Sequence, residues 1–475
     1  MSSNRYTKVT PAIVEHLKGI VGASNVIFDD QERLEPLSHD EVPDRSYGHM
    51  PEAAVRVGSA SEIAAVMKLA NRERIAVTPR GAGSGLSGGA VPIHGGIVML
   101  MDRLNRILEI DPANMTITVE PGVVTNDINA AVRHLNLFYA GYPMSLETCS
   151  VGGNVAENAG GARAVKYGVT GRYVLGLEVV TPTGDIVEMG GKLVKDVTGY
   201  NLIGLMVGSE GTLGIFTKII LKLMPLPKSA VDLLALFPTV DAAIAAVPRI
   251  LTESGIIPTG IEFMDGASAE CACRYLNETL DTKGAGAMLL ITVDGSDAQQ
   301  VERDYESVGE ACLQYGAQEV YVGDNKTTSE RLWRIRKNVP EAFALLGQDQ
   351  GNEDLVVPMA AIPELVRGMQ ELQRKYQVSI PAYGHAADGN LHTRVAREPT
   401  LAVERWREIF PQVLHELYEL TARLGGHISG EHGIGHKRKP YMSMFVSPEY
   451  LAMCRAIKQA LDPNNVLNPG KIMDV

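Results

Sequence analysis

Residues 79–96, PRGAGSGLSGGAVPIHGG, hold the pattern that decides the fold. Within them GSGLSG (83–88) matches the G-x-G-x-x-G pattern of dinucleotide-binding folds and follows a predicted strand, RIAVTP. Asp102 ends the next predicted strand about 20 residues later, where that pattern places an acid. Such a unit needs a helix between its glycine loop and the next strand. Only residues 86–96 are available, and Pro92 and four glycines oppose a helix there, so this interpretation is excluded.

Glycine is instead concentrated in three blocks of the first half of the chain. Five glycines lie within residues 79–89, six within CSVGGNVAENAGGARAVKYGVTG (149–171), and further ones in GSEGTLGIF (208–216). We predict the second block to be non-helical. Glycine permits close approach of a ligand, and successive N–H groups of such a loop can converge on an anion. The three blocks together predict a large, extended ligand.

Composition and charge exclude several classes of protein. The 475 residues carry a formal net charge of −12 and no basic block, which argues against binding nucleic acid. No apolar run approaches the roughly 18 residues of a membrane span, and the first residues lack the features of a signal peptide. Five cysteines form neither a disulfide framework nor a C-x-x-C motif. The sequence therefore predicts a reduced, cytoplasmic protein of two or three domains.

Hydrophobic patterning divides the chain into four predicted parts. A helical segment (1–46) precedes a glycine- and strand-rich domain (47–227) with a helix at 59–74 and a hairpin around residues 182–184. After Pro225 and Pro227, two strand–helix–strand units predict a ferredoxin-like domain (228–420). Helices are predicted at 329–346, 361–376, 402–423 and 447–461, with a turn-bearing loop at 383–393 and a C-terminal segment at 421–475.

Five motifs, taken together, resemble the flavin-dependent 2-hydroxyacid dehydrogenases over about residues 40–475. These motifs are PRGAGSGLSGG (79–89), VGGNVAENAGG (151–161), GSEGTLGI (208–215), GHAADGNLH (384–392) and SGEHGIG (429–435). That family includes the glycolate oxidase catalytic subunit, D-lactate dehydrogenases and D-2-hydroxyglutarate dehydrogenase. The resemblance implies an α+β fold with a vanillyl-alcohol-oxidase (PCMH-type) FAD-binding domain, a ferredoxin-like α+β substrate (cap) domain and a helical C-terminal segment.

The resemblance also implies which residues hold FAD. The first block would cradle the pyrophosphate, the second would line the flavin and its ribityl chain, and the third would hold the adenosine side, with Asn468 at the isoalloxazine ring. The residues concerned are Pro79, Arg80, Gly81, Ala82, Gly83, Ser84, Gly85, Ser87 and Gly88; Thr148, Gly152, Gly153, Asn154, Asn158, Gly160 and Gly161; and Glu210, Gly211, Thr212 and Ile215. Some relatives attach FAD through a histidine of the first loop; none precedes His94 here, so we expect non-covalent FAD.

Six of the eleven histidines follow residue 384. His385 and His392 flank the turn sequence Asp-Gly-Asn (388–390), which could bring both imidazoles to one side. Glu431 and His432 stand between Gly430 and Gly433. Two histidines and one carboxylate form an open divalent-metal site, so His385, His392 and Glu431 are candidate ligands for zinc, iron or manganese. Separate surface or buried histidines are the alternative.

Within the resemblance, a metal-bound 2-hydroxy acid would lose its hydroxyl proton to a base, for which we select His432. In LWRIRKNVPEAF, Arg334 and Arg336 are candidates for the substrate carboxylate, and the family pattern favours Arg336. A solvated basic helix face is the alternative, and Asn390 is a further hydrogen-bonding candidate. The 2-hydroxyglutarate enzymes carry a threonine where this chain has Pro340, which favours a small monoacid such as lactate or glycolate.

The electrons need an acceptor, because the chain has no nicotinamide-binding unit and no iron–sulfur motif. Oxygen, a quinone or another protein could take the electrons. Among relatives, some lactate dehydrogenase subunits dock an electron-transferring flavoprotein, and we expect such a partner here. Two other classes stay open: a metallohydrolase, which would leave the glycine blocks unexplained, and a flavin-binding subunit without turnover.

Overall fold

The computed structural model describes residues 5–282, 284–323 and 325–475, which divide into two compact units. The first unit comprises the described residues up to Ala159, Val169–Pro225 and Glu431–Val475. The second comprises Gly160–Gly168 and the described residues of Leu226–Gly430. Among the described residues, no helix has the length and apolar character that crossing a membrane requires.

Among its described residues, the first unit contains a four-stranded, a five-stranded and a two-stranded sheet. Its helices are α1 (Pro11–Val21), α2 (Gln31–Leu34), α3 (Ala60–Glu73), α4 (Thr125–Val132), α5 (Val151–Glu157), α7 (Leu202–Met206) and α15 (Pro448–Leu461). Its strands are β1 (Val26–Phe28), β2 (Ala53–Arg56), β3 (Val77–Arg80), β4 (Ile97–Leu100), β5 (Ile107–Asp111), β6 (Thr116–Val119), β7 (Leu137–Phe138), β8 (Val174–Val180), β9 (Ile186–Gly190), β10 (Ile215–Lys222) and β11 (Met224–Pro225). The sheet orders are β1-β2-β4-β3 and β5-β6-β10-β8-β9, and β7 pairs with β11.

The sheet that carries the first glycine block is packed on one face by the apolar sides of amphipathic helices. Strands β2, β4 and β3 run parallel, and the buried residues of α1 and α3 join theirs in one hydrophobic cluster. Helix α3 begins where the Ser59 side chain accepts a hydrogen bond from the Glu62 N–H, which satisfies one of its free donors. No helix lies between β3 and β4, so the exclusion of a dinucleotide-binding βαβ unit is confirmed.

The prediction that residues 149–171 are non-helical was wrong. Helix α5 spans Val151–Glu157 despite its two glycines, and Ala164–Tyr167 forms a further turn, α6, in the second unit. Tertiary contacts override the weak helix propensity of glycine here. Gly152 lies against the Pro121 backbone, where a Cβ would collide, so close packing of α5 depends on the missing side chain.

The second unit is a large antiparallel sheet covered by helices. Besides α6 its helices are α8 (Val240–Glu253), α9 (Gly266–Leu276), α10 (Ala298–Gln314), α11 (Lys326–Lys337), α12 (Val339–Ala342), α13 (Ile362–Tyr376) and α14 (Val403–Arg423). Its strands are β12 (Ser229–Phe237), β13 (Gly260–Asp265), β14 (Ala287–Gly295), β15 (Glu319–Gly323), β16 (Gln350–Val356), β17 (Val378–Ser379), β18 (Ala382–His385) and β19 (Asn390–Arg397). The order β15-β12-β14-β13 is that of a ferredoxin-like sheet, and it continues through β18-β19-β16.

Two predicted elements of the second unit differ from the structure. The helix predicted at 329–346 is interrupted: α11 ends at Lys337, and α12 begins at Val339 with Pro340 in its first turn. A proline cannot donate the backbone hydrogen bond that a continuous helix needs at that position. The loop predicted at 383–393 is a hairpin, because β18 and β19 pair from Ala382↔Thr393 to His385↔Asn390.

Candidate active site

The first glycine block forms a loop in which successive backbone N–H groups make no hydrogen bond within the described residues. Among the described residues, the N–H groups of residues 83–87 have no hydrogen-bond acceptor, whereas Ala82 N–H donates to Ser150 Oγ at 3.3 Å. Gly83 adopts a left-handed φ of +74°, which few other residues tolerate. Such a run of unused donors fits a bound pyrophosphate. The loop therefore fits the pyrophosphate part of FAD.

Residues around this loop form hydrogen bonds that hold the loop in place. The Asp40 carboxylate accepts from Gly88 N–H at 2.7 Å, and burial raises the pKa of Asp40. Arg80, which is predicted to lie at the pyrophosphate, donates through Nη1 to the His39 carbonyl at 2.8 Å. Lys437 N–H donates to the Ser87 carbonyl at 3.0 Å. The loop is therefore held by residues near the N-terminus and by residues near the C-terminus of the protein.

The polar residues of the second block stabilise their own surroundings. Asn154 Nδ2 donates to Thr125 Oγ1 at 2.7 Å, and the Asn158 side chain accepts from Gly171 N–H at 2.9 Å. Thr148 is exposed and donates to the Ser145 carbonyl. The other predicted flavin-lining residues are divided between the units, with Gly152 and Gly153 in α5 of the first and Gly160 and Gly161 in the segment that belongs to the second.

The third glycine block is hydrogen-bonded to residues near the C-terminus. The buried Glu210 carboxylate accepts from the N–H groups of Ile434 and Gly435 at 2.7 and 2.6 Å. Asn468 Nδ2 donates to the carbonyls of Gly89 and Glu210 at 3.0 and 2.8 Å. Gly211, Thr212 and Ile215 follow in the same buried segment. Asn468 therefore fastens the first and third blocks together.

Glu157 is a buried carboxylic acid that the sequence analysis did not select. Its Oε2 atom has no hydrogen-bond partner among the described residues. Burial raises the pKa of Glu157 well above its ordinary value, and the neighbouring carboxylates of Glu210 and Asp40 raise it further. Burial and the neighbouring acids therefore favour the neutral form of this side chain.

In the second unit, one face of the sheet carries a connected group of charged side chains centred on Glu262. The Glu262 carboxylate lies 2.7 Å from His385 Nδ1 through Oε1 and 2.6 Å from Arg336 Nη2 through Oε2. The guanidinium carbon of Arg336 lies 4.8 Å from the centre of the Tyr383 ring. All four residues are buried. Arg336 is thus paired with a carboxylate on the same sheet face as the histidines.

A second group of hydrogen-bonded side chains on the same sheet face is centred on Asp354. Its Oδ1 atom lies 3.3 Å from His392 Nδ1 and accepts from Asn390 Nδ2 at 2.8 Å. Its Oδ2 atom accepts from Ser429 Oγ and Gly430 N–H at 2.6 and 3.0 Å. A Cβ on Gly430 would collide with the Asn390 amide, so glycine here allows Asn390 to keep its position. Asn390 acts here as a donor that orients Asp354.

The hairpin brings the two imidazoles together, as predicted. The rings of His385 and His392 are 5.4 Å apart and perpendicular, with ligand nitrogens within 4.8 Å of each other. Both Nδ1 atoms face carboxylates, an arrangement that orients metal-binding histidines and leaves Nε2 to ligate. The donor set of this face therefore fits a divalent metal ion. Glu431 follows Gly430 in the sequence and belongs to the first unit. Its Oε1 atom lies 4.0 Å from His432 Nε2.

Glu262, Asp354 and Arg394 on this face were missed by the sequence analysis. Glu262 occurs in the largely apolar strand GIEFMD, where a buried acid needs a partner, whereas Asp354 lies in the polar run Asn-Glu-Asp of GNEDLVV. Arg394 lies two residues after His392, and burial lowers the pKa of its guanidinium, opposed by Tyr383, Glu353 and Glu341. A charged residue inside an apolar strand was the available signal for Glu262, and the sequence offered none for Asp354 and Arg394.

The fold and these two sets of residues define a flavoprotein oxidoreductase. A family model described as "FAD binding domain" matches residues 51–190, and one described as "FAD linked oxidases, C-terminal domain" matches residues 226–472. The chain belongs to the FAD-linked oxidases, and the predicted α+β fold with a PCMH-type FAD-binding domain is confirmed.

Individual relatives extend over nearly the whole chain. It is 40% identical over 466 residues to the glycolate oxidase subunit GlcD of Bacillus subtilis (strain 168), covering 98% of this chain and 97% of that protein. It is 37% identical over 478 residues to the D-lactate dehydrogenase of Anaerostipes hadrus, covering 99% of each. The crystal structure of p-cresol methylhydroxylase with substrate bound matches with a TM-score of 0.79 at 19% identity, over 97% of this chain and 96% of that one.

Proposed function

We propose that this enzyme is an FAD- and divalent-metal-dependent dehydrogenase that oxidises a small D-2-hydroxy acid, with D-lactate as the first candidate. The observation that carries the proposal is the pair of buried imidazoles, His385 and His392, each facing its own carboxylate. A scaffold that binds only flavin has no need of such a pair. The relatives named for glycolate and D-lactate supply the substrate class.

The residues have distinct roles in this proposal. His385, His392 and Glu431 would hold the metal, which would supply a Lewis acid that lowers the pKa of the substrate hydroxyl. His432 takes the hydroxyl proton. Arg336 keeps a shielded Nε–H without a partner among the described residues, and we assign it to the substrate carboxylate. Asn390 holds Asp354, and through it the His392 ring.

The FAD-binding role rests on the glycine loop of residues 81–88 together with the second and third blocks and Asn468. FAD would supply the acceptor for the substrate Cα hydride. The unused N–H donors of residues 83–87 would bind its pyrophosphate. The first loop contains no histidine, and we propose that FAD is bound non-covalently.

Substrate size and electron acceptor are the finer parts of the proposal. Pro340 offers no side-chain donor for a second carboxylate, which favours D-lactate, with glycolate and D-2-hydroxyglutarate as alternatives. We propose that a separate electron-transferring flavoprotein takes the electrons. Purified electron-transferring flavoprotein should be reduced by the enzyme when D-lactate is present, and failure to reduce it would remove this part alone.

An anaerobic visible spectrum, recorded before and after D-lactate is added, tests the central proposal. We expect the yellow flavin band to bleach with D-lactate and to persist with L-lactate. Bleaching only with glycolate or D-2-hydroxyglutarate would keep the chemistry and change the substrate. A flavin that no 2-hydroxy acid reduces would favour a subunit without turnover. A colourless protein that binds zinc and no added FAD would favour a metallohydrolase.

A further inference from the structure

We propose that Arg394 is a substrate-binding residue that, together with Arg336, forms a two-guanidinium clamp for the carboxylate of the 2-hydroxy acid. This inference rests on the proposed function, because it names a contact of the same substrate. It adds a cation that the sequence analysis did not select. The evidence is the position of Arg394, its shielding from solvent and the lack of a partner within the described chain.

Strand alternation places Arg394 on the face that carries the histidines. Asn390, His392 and Arg394 are successive alternate residues of β19, so their side chains project to the same side of the sheet. His392 is paired with Tyr383 of β18 and with Asp354 of β16. Arg394 therefore lies one step along the same row, next to the imidazole proposed to bind metal.

Two nitrogens of the Arg394 guanidinium are shielded and make no hydrogen bond with the described residues. Its Nε and Nη1 atoms are inaccessible to solvent and make no hydrogen bond there. Glu353, one of the nearer carboxylates, projects to the opposite face of β16 and accepts from the Tyr418 hydroxyl instead. A buried charge of this kind is unfavourable unless an anion joins it. A ligand carboxylate would supply both the acceptors that Nε and Nη1 lack and a negative charge beyond those of Glu353 and Glu341.

Arg336 and Arg394 share a neighbour, which brings both to one part of the face. The Arg336 guanidinium covers the Tyr383 ring, and Tyr383 also interacts electrostatically with Arg394. The Nε atom of Arg336 is shielded without a partner among the described residues as well. One carboxylate can accept about four hydrogen bonds and thus donors from both arginines. Binding through both would hold the acid beside His392.

The test uses the purified holoenzyme with Arg394→Met and Arg394→Lys variants and a substrate analogue that cannot react. 2-Hydroxyisobutyrate keeps the carboxylate and hydroxyl of the substrate but has no Cα hydrogen. Its dissociation constant, measured from the perturbed flavin spectrum, should rise about 10- to 100-fold in Arg394→Met and less in Arg394→Lys. The neutral amide of the same acid should lose no affinity. Arg367→Gln, which removes an exposed arginine of the same unit, is the control.

Folding and the proposed function are separated from this result by two further measurements. The thermal midpoint of Arg394→Met should equal or exceed that of the wild type, since an unpaired buried charge is removed. An unchanged dissociation constant for the acid, or an equal loss for acid and amide, would overturn the clamp. A loss confined to dicarboxylic acids would also overturn it, by assigning Arg394 to a distal group. If no 2-hydroxy acid reduces the flavin but the analogue still depends on Arg394, the clamp stands and the proposed oxidation fails.

Discussion

Glu262 Oε1 lies 2.7 Å from His385 Nδ1, although the two residues are 123 positions apart in the chain. The other oxygen of the same carboxylate faces Arg336. One buried acid thus sets the orientation of a candidate metal-binding imidazole and of a candidate substrate-binding guanidinium. Glu262 consequently couples the two functions proposed for this face.

Replacing Glu262 by glutamine should weaken metal binding and turnover together. The amide keeps the shape but removes the negative charge that orients His385 and balances Arg336, and carboxylate partners of this kind are typically worth about 10- to 100-fold in metal affinity or activity. We expect a lower metal-to-flavin ratio by elemental analysis and a lower kcat with D-lactate. Glu278→Gln, which removes a carboxylate paired with the surface arginines Arg331 and Arg334, should leave both unchanged. A full metal content in Glu262→Gln would contradict the orienting role.

Gly430→Ala should impair catalysis with little effect on folding. The added methyl group would collide with the Asn390 amide and displace it from Asp354, the carboxylate that faces His392. We expect kcat to fall at least tenfold while the thermal midpoint changes by only a few degrees. Gly309→Ala, in α10 and without a close neighbour, is the control and should be neutral or slightly stabilising. Normal kcat in Gly430→Ala would show that Asn390 can move without consequence.

Glu157 should make the stability of the enzyme depend on pH. Its pKa in the folded protein is raised well above the ordinary value of 4.5. Its stabilising contribution is therefore complete below pH 4.5, where the unfolded chain is protonated as well. That contribution is lost as the pH rises through the folded value, because the unfolded chain ionises while the folded one stays protonated. Glu157→Gln should therefore flatten the decrease of the thermal midpoint as the pH rises above the ordinary value of 4.5. Glu210, whose pKa is also raised by burial, would leave a residual slope.

The matched control for Glu157→Gln is Glu32→Gln, an exposed acid of the same unit. It should reproduce the wild-type dependence of the thermal midpoint on pH. A Glu157→Gln profile that coincides with the wild type would show that Glu157 titrates normally in the folded protein.

Asp294→Asn should loosen the segment Gly160–Gly168, which contains two of the predicted flavin-lining glycines. The buried Asp294 carboxylate lies 2.5 Å from Lys166 Nζ and accepts from the Tyr167 hydroxyl at 3.0 Å. Hydrogen bonds to a charged group are worth about 1.5–3 kcal/mol, and the partial exposure of Lys166 favours the lower part of that range. We expect denaturant unfolding to show a loss of that size. Asp304→Asn, on the exposed side of α10, should show none, and equal stability of the two variants would contradict the anchoring role.

Local sequence determined those features that depend on residues close together in the chain. Pro92 and the surrounding glycines rule out a helix after the first glycine block because they oppose it wherever the chain lies. The Asp-Gly-Asn turn brings His385 and His392 together because a hairpin aligns residues only seven positions apart. The alternating apolar and polar segments after residue 228 likewise predict the strand–helix–strand units that the structure contains.

Only the tertiary structure decided which charges meet on the histidine face. Glu262, Arg336, Asp354 and His385 come from four separate elements, and β-strand pairing over long chain distances sets their contacts. The helical conformation of residues 151–157 was decided in the same way, because packing against Pro121 outweighs the weak helix propensity of Gly152 and Gly153. The sequence by itself determined the ligand class through its local motifs. The partner of each buried charge was decided by the fold, because burial makes pairing obligatory but local sequence does not specify the partner.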